Sequence, residues 1–202
     1  MTSLEAVPQR RSVRDRTARI FTEVFAPAVL VTVLILVSSV IPYGLPGLPS
    51  GLLAVFFITA LPFAVVLLLT RRGTLTDHHL GQRSQRAPVL GGAILSVLLG
   101  LGILAVTGAP SGLMTMILSV LAGIVAVLVV NLVWKLSAHT AVAVFFAVAL
   151  VIYFGPWALI AAAVPAGVGW SRIHLGAHTP AQVLAGGTVG LLIGAGFALV
   201  TA

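Results

Sequence analysis

The chain has 202 residues, with eleven Lys and Arg against four Asp and Glu, five His and no Cys. Hydrophobic residues make up 59% and charged residues 7%, whereas a soluble domain carries about 25% charged residues, so there are too few charges to coat a water-facing surface. Lipid is the expected solvent, and the lack of cysteine excludes disulfides, a thiolate nucleophile and a zinc–cysteine site.

In chain order, residues 1–23 are polar and basic, and no short apolar region with a small-residue cleavage site marks a signal peptide. Arg10, Arg11, Arg14, Arg16 and Arg19 are interspersed with Val13, Ile20 and Phe21. This segment reads either as an interfacial helix attracted to anionic lipids or, more simply, as a solvated tail that fixes topology. Apolar runs follow near 24–42, 51–70, 88–107, 112–133 and 180–200, each close to the roughly 20 residues a helix needs to cross the bilayer. Two shorter runs, near 138–153 and 156–170, are expected as a hairpin sheltered by neighbouring helices. Backbone polar groups must be satisfied internally in lipid, and the runs are too long for barrel strands. The expected fold is therefore all-α, a polytopic membrane helix bundle of about six or seven transmembrane helices. Its two parts are the basic segment 1–23 and a single membrane domain, 24–202. Pro62 and Pro165 fall inside spans and predict kinks. Gly186, Gly190 and Gly194 recur every four residues, a small-residue face expected to pack closely within the chain.

The basic residues fall in four groups: the N-terminal arginines; Arg71, Arg72, Arg83 and Arg86; Lys135; and Arg172. With these spans all lie at one membrane face, and the positive-inside rule makes that face cytoplasmic and the location the cell membrane. The five histidines, His78, His79, His139, His174 and His178, share it. Arginine presents a planar fork suited to phosphate oxygens, and histidine serves as nucleophile or proton donor near neutral pH. Such a cluster with almost no carboxylate suits an anionic, phosphate-bearing substrate.

Three polar islands carry this chemistry: 77–88, DHHLGQRSQRAP; 135–139, KLSAH; and 171–182, SRIHLGAHTPAQ. In order, they resemble the three motifs of the type 2 phosphatidic acid phosphatase superfamily, K-x6-R-P, P-S-G-H and S-R-x5-H-x3-D. Ser171-Arg172, five residues and His178 reproduce the third without a gap; Ser137 and His139 keep the second, with Leu136 for proline and Ala138 for glycine; Arg86 keeps the first, with His79 for lysine and Ala87 for proline. The resemblance covers roughly residues 77–190. It implies a metal-independent, cofactor-free lipid phosphatase in which His178 attacks phosphorus and His139 protonates the leaving alkoxide. Arg86, Arg172, Ser137 and the backbone N–H of Ala138 or His139 would hold the phosphoryl oxygens, with His79, Arg83 and Lys135 as further phosphate-binding candidates; His79 in place of lysine makes the site less positive near neutral pH, which Arg83 or Lys135 would offset.

The family's final aspartate, which orients the nucleophile, is replaced by Gln182. A glutamine carbonyl can accept from the ring N–H but brings no charge; Asp77 is the candidate to supply it. Thr179-Pro180-Ala181-Gln182 is also an ordinary capped helix start, His174 lies outside the pattern, and Lys135 and Arg172 beside Trp134 and Trp170 suit simple snorkelling. Two rival functions stay open, a histidine metal site and a degenerate lipid-phosphate binder or transporter. The expected partner is a membrane lipid phosphate, with no nucleic acid; a homo-oligomer is left open.

Overall fold

A computed structural model describes residues 12–75 and 86–202, the side chain of Arg86 excepted. The described residues are all helix, turn and loop, with no strand. The elements are α1 (Val13–Val24), α2 (Pro27–Val40), α3 (Leu48–Val55), α4 (Leu61–Arg71), α5 (Arg86–Val106), α6 (Ser111–Val133), α7 (Ala138–Phe154), α8 (Ala163–His174) and α9 (Pro180–Thr201). Among the described residues four stretches are long and apolar enough to cross a bilayer: Leu45–Arg71, Ala87–Val106, Ser111–Val133 and Pro180–Thr201. The bent pair α1–α2, with 41° between its halves, makes at most a fifth. These numbers stop short of the expected six or seven, because α7 and α8 are shorter than a full crossing. Many large apolar side chains point outward, Leu95, Leu99, Leu184, Leu191 and Leu199 among them, as lipid-facing surfaces require. This is a membrane protein.

Both prolines act at helix joints. Pro62 stands just after a π-helical stretch, Phe56–Ala60, a local departure from α geometry of the kind that accommodates a proline inside a span. The expected run 156–170 is split: Gly155 ends α7 at φ 76, Pro156–Ala162 is a 3-10 helix, and α8 starts only at Ala163. Pro165 thus falls in the first turn of α8, where its missing N–H costs nothing.

Among its described residues, 12–23, the N-terminal segment is not the solvated tail of the simpler reading. From Val13 it is helical, opened by a capping box in which Ser12 and Asp15 exchange side-chain and backbone hydrogen bonds. It docks antiparallel on α8: Phe21 packs on Gly167, where an added Cβ would collide with its ring, Thr22 and Ser171 share a buried hydrogen bond of 3.1 Å, and Asp15 meets His174 at 2.9 Å.

The main core lies between α2, α3, α5, α6 and α7, centred on Leu34, Ile35, Leu104, Leu113, Met116 and Ile117. The closest helix pair is α7 with α9. Gly186 and Gly190 rest on the carbonyls of Ser137 and Ala141, and Gly194 rests on Val148. The matching rise along both helices makes them parallel, and the expected small-residue face is realised within the chain. Parallel packing sets the first turns of α7 and α9 side by side.

Candidate active site at the α7 and α9 helix starts

The last turn of α6 prepares the second island. Buried Asn131 donates from Nδ2 to Val127 O at 2.8 Å and accepts from Leu136 N at 3.4 Å, which turns the chain into the extended stretch before α7. Leu136, standing where the family has proline, is buried beside Val127 and Ala141. Ser137, fully buried, is the N-cap of α7; its Oγ accepts from Thr140 N at 3.4 Å and lies 3.0 Å from Thr140 Oγ1. Ala138 and His139 then occupy the first turn, the end of the helix dipole that favours an anion. His139 is 8% exposed.

The third island is shaped by its glycine. α8 continues through Ser171-Arg172 to His174, so the motif starts on the last helical turn. Gly176 adopts φ 65, and its N–H and that of Ala177 return to Ile173 O at 2.9 Å and Arg172 O at 3.0 Å, a Schellman ending. His178 N also donates to Arg172 O, at 3.1 Å. The five-residue gap in S-R-x5-H is therefore what the chain needs to leave the helix through a left-handed residue and bring His178 back over Arg172. Arg172 is 6% exposed, and Nε of Arg172, Nε2 of His139 and Nδ1 of His178 are all shut off from solvent.

Hydrogen bonds join the two islands. Lys135 Nζ donates to Ala177 O at 2.6 Å, and Ser137 N donates to Gln182 O at 3.2 Å. The ammonium of Lys135 thus has a structural duty beyond any charge it lends the site. The first island ends at the start of α5, where Leu90, one turn after Arg86, packs with Ala138, Ala185 and Val189 around Val127, Leu136 and Ala141. The flanks of all three islands meet at this small apolar cluster. His79, Arg83 and Asp77 lie outside the described residues.

A cavity of about 660 Å³ opens beside this end of the bundle, between α2, α4, α6, α7 and α9. Val33, Phe63, Val120, Val142 and Ile193 form much of its wall; Ala138 and His139 line it, with Glu23, Thr32, Thr59 and Ser119 as further polar members. Its size is in the range of small-molecule sites.

Residues 132–202 match the family model described as PAP2 superfamily. The resemblance to the type 2 phosphatidic acid phosphatases holds over the second and third islands, and the first island lies outside the match. The matched PAP2 segment is just over a third of the chain, runs from the end of α6 to the C-terminal residue and contains the second and third islands whole. No curated protein and no solved structure matches the chain.

Gln182, where the PAP2 pattern has aspartate, and His174, which the pattern does not use, both have partners of their own. Gln182 is engaged in its own helix: Oε1 accepts from Thr179 N at 3.1 Å while its N–H donates to Thr179 Oγ1 at 3.3 Å, the reciprocal capping box the sequence allowed. His174, outside the motif, faces Asp15 and stacks on Trp170 with ring centroids 5.4 Å apart. Its hydrogen bond, ahead of those from Ser12, holds the Asp15 carboxyl below the usual carboxylate range. Among the described residues no three His, Cys, Asp or Glu gather as a metal-binding group. Asn131, Thr22 and the Ser12–Asp15 box escaped the sequence reading; only the box had a local signature, a serine followed three residues later by an acid ahead of a helix.

Proposed function

We propose that this chain is an integral membrane phosphatase that hydrolyses a phosphomonoester or diphosphate of a phospholipid or polyprenyl lipid through a phosphohistidine on His178. The observation that carries this reading is the meeting of the three island flanks around Val127, Leu136 and Ala141, with an apolar cavity against His139.

In the proposed reaction a headgroup phosphate occupies the mouth formed by the first turn of α7 and the end of α8. Phosphoryl transfer needs positioning and charge stabilisation more than covalent assistance. Arg172 and Arg86 supply guanidinium forks, and Ser137, Ala138 and the α7 dipole supply the rest. The His178 imidazole forms the N–P bond as the P–O ester bond breaks. His139 gives its proton to the departing alkoxide, then takes one from the water that cleaves the N–P bond, which restores both histidines and releases phosphate. Arg83 and Lys135 supply positive charge where His79 replaces the family's lysine, and the hydrophobic cavity receives the lipid tail. Phosphatidic acid, phosphatidylglycerol phosphate and polyprenyl phosphates all fit this description. The basic clusters favour the cytoplasmic side of the cell membrane, hence a lipid or cell-wall precursor intermediate.

Gln182 favours a second reading. With Oε1 engaged by Thr179 N, no charge stands behind His178 from this position, and removing the carboxylate behind a catalytic histidine can cost about 10⁴ in rate. A lipid-phosphate binder without turnover would share the same fold. Phosphate release from a panel of lipid phosphates, with and without chelator, separates the readings. The phosphatase reading expects release that survives chelation and vanishes in His178→Ala. Turnover by the alanine variant would remove His178 from the mechanism, and absence of release from every lipid would favour the binder.

A further inference from the structure

The helix α1 has two dissimilar faces. Ala18 and Thr22 are buried against the bundle, and Asp15 and Phe21 contact α8 beside them. On the opposite side Val13, Thr17, Ile20 and Val24 follow one another at intervals of four and three residues, which places them in one stripe along a helix. That stripe is open: Val13 is 83% exposed, Ile20 52% and Val24 52%. Arg14 and Arg16 flank it, Arg19 lies farther round, and all three are exposed.

Several features say what covers this face. Arg14, Asp15, Arg16, Arg19 and Glu23 put five charges in a twelve-residue helix, so α1 does not belong in hydrocarbon. It joins α2 through two residues at a 41° bend, so the two do not continue as one straight span. Trp170, on the helix α1 docks against, is 42% exposed and Trp134 is 43% exposed; tryptophans of this kind mark the headgroup layer. An apolar stripe edged by arginines at that level matches a surface of lipid phosphates over acyl chains.

We propose that α1 is a binding arm for the anionic lipid surface, with Val13, Ile20 and Val24 seated among the upper acyl carbons and Arg14, Arg16 and Arg19 on lipid phosphates. The opposite face of the same helix carries the Thr22–Ser171 hydrogen bond, so the arm rests directly on the residue preceding Arg172. The proposal is independent of the phosphatase reading.

The chain has no cysteine, so Ile20→Cys gives one attachment point for a spin label on an exposed position. The full-length protein is placed in nanodiscs of phosphatidylcholine alone or of phosphatidylcholine with phosphatidylglycerol, and label depth is read from relaxation by oxygen against a water-soluble nickel chelate. The label is expected to sit deeper in the mixed discs. Replacing Arg14, Arg16 and Arg19 by Gln should abolish that difference, with the seating equilibrium falling roughly fivefold per arginine. Equal nickel access in the two lipids overturns the proposal, as does shielding from both reagents, which would mean a protein cover. The lipid comparison needs no arginine variant, so misfolding of the triple variant leaves the test standing, and Val13→Cys gives an independent reading of the same stripe.

Discussion

Gly186 and Gly187 are neighbours on α9, yet they face different surroundings. A Cβ at Gly186 would run into the carbonyl oxygen of Ser137, backbone that cannot swing aside, and would also crowd Ser137 C at 3.3 Å and Cβ at 3.4 Å. A Cβ at Gly187 meets only Val144 Cγ2, at an ordinary 3.8 Å. Both substitutions by alanine gain up to about 1 kcal/mol of helix propensity. At Gly186 overpacking opposes this gain by about 1–3 kcal/mol, so Gly186→Ala is expected to be destabilised by up to about 2 kcal/mol and Gly187→Ala to be neutral or stabilised. Thermal unfolding of the two variants in one detergent measures the difference, and the Gly186 variant should melt several degrees lower. Because the strain falls on the N-cap of α7, it should also lose phosphate affinity while Gly187→Ala keeps it. Equal melting temperatures, or a more stable Gly186→Ala, would refute the close α7–α9 packing.

Gly176→Ala forces a Cβ into φ 65, at about 1–2 kcal/mol; the cost should appear in melting and, by displacing His178, in a far larger loss of turnover, which a kcat measurement at saturating lipid detects. Thr22→Val removes a buried partner of Ser171 and should lower stability by about 1 kcal/mol, measured by thermal unfolding, with α1 the first helix to lose amide protection. The Asp15 carboxyl is held below its ordinary value chiefly by His174. Its contribution to docking α1 is therefore complete above the unfolded carboxylate value and is lost as pH falls through the folded one. Fluorescence of Trp170, with the other two tryptophans changed to phenylalanine, should report loosening in acid below about pH 4, and Asp15→Asn should remove that transition. A reporter fused after Ala202 should lie outside the cell if the basic end is cytoplasmic.

Patterns that repeat along the chain were more legible in the sequence than contacts between its distant parts. The runs behind α5, α6 and α9 were visible because lipid demands unbroken apolar length, and the Gly186–Gly190–Gly194 face because close helix approach demands small residues at one spacing. The unbroken spacing between Ser171-Arg172 and His178 survived as well, since a Schellman ending fixes the number of residues between them. What the sequence hid depends on partners distant along the chain. Phe21 finds Gly167 and Asp15 finds His174 only once the bundle brings the ends together, so the sequence left α1 open between an interfacial helix and a solvated tail and gave no sign of its docking on α8. Asn131 resembles any polar residue near a helix end until Leu136 returns to it. The division of the 156–170 run into a 3-10 helix, Pro156–Ala162, and α8 from Ala163 was masked by unchanged apolar composition on either side of it. His79, Arg83 and Asp77 were chosen from the sequence and lie outside the described residues.

The central claim, that His178 takes the phosphoryl group, is tested most directly by trapping it. Purified protein is mixed with a lipid carrying labelled phosphate and quenched in base, where phosphohistidine survives, and the label is then followed through acid. The account predicts base-stable, acid-labile label on the native protein, at least as much on His139→Ala when the labelled lipid is a diphosphate with a good leaving group, and none on His178→Ala. Label retained by the His178 variant, or label on the native protein that withstands acid, would contradict it.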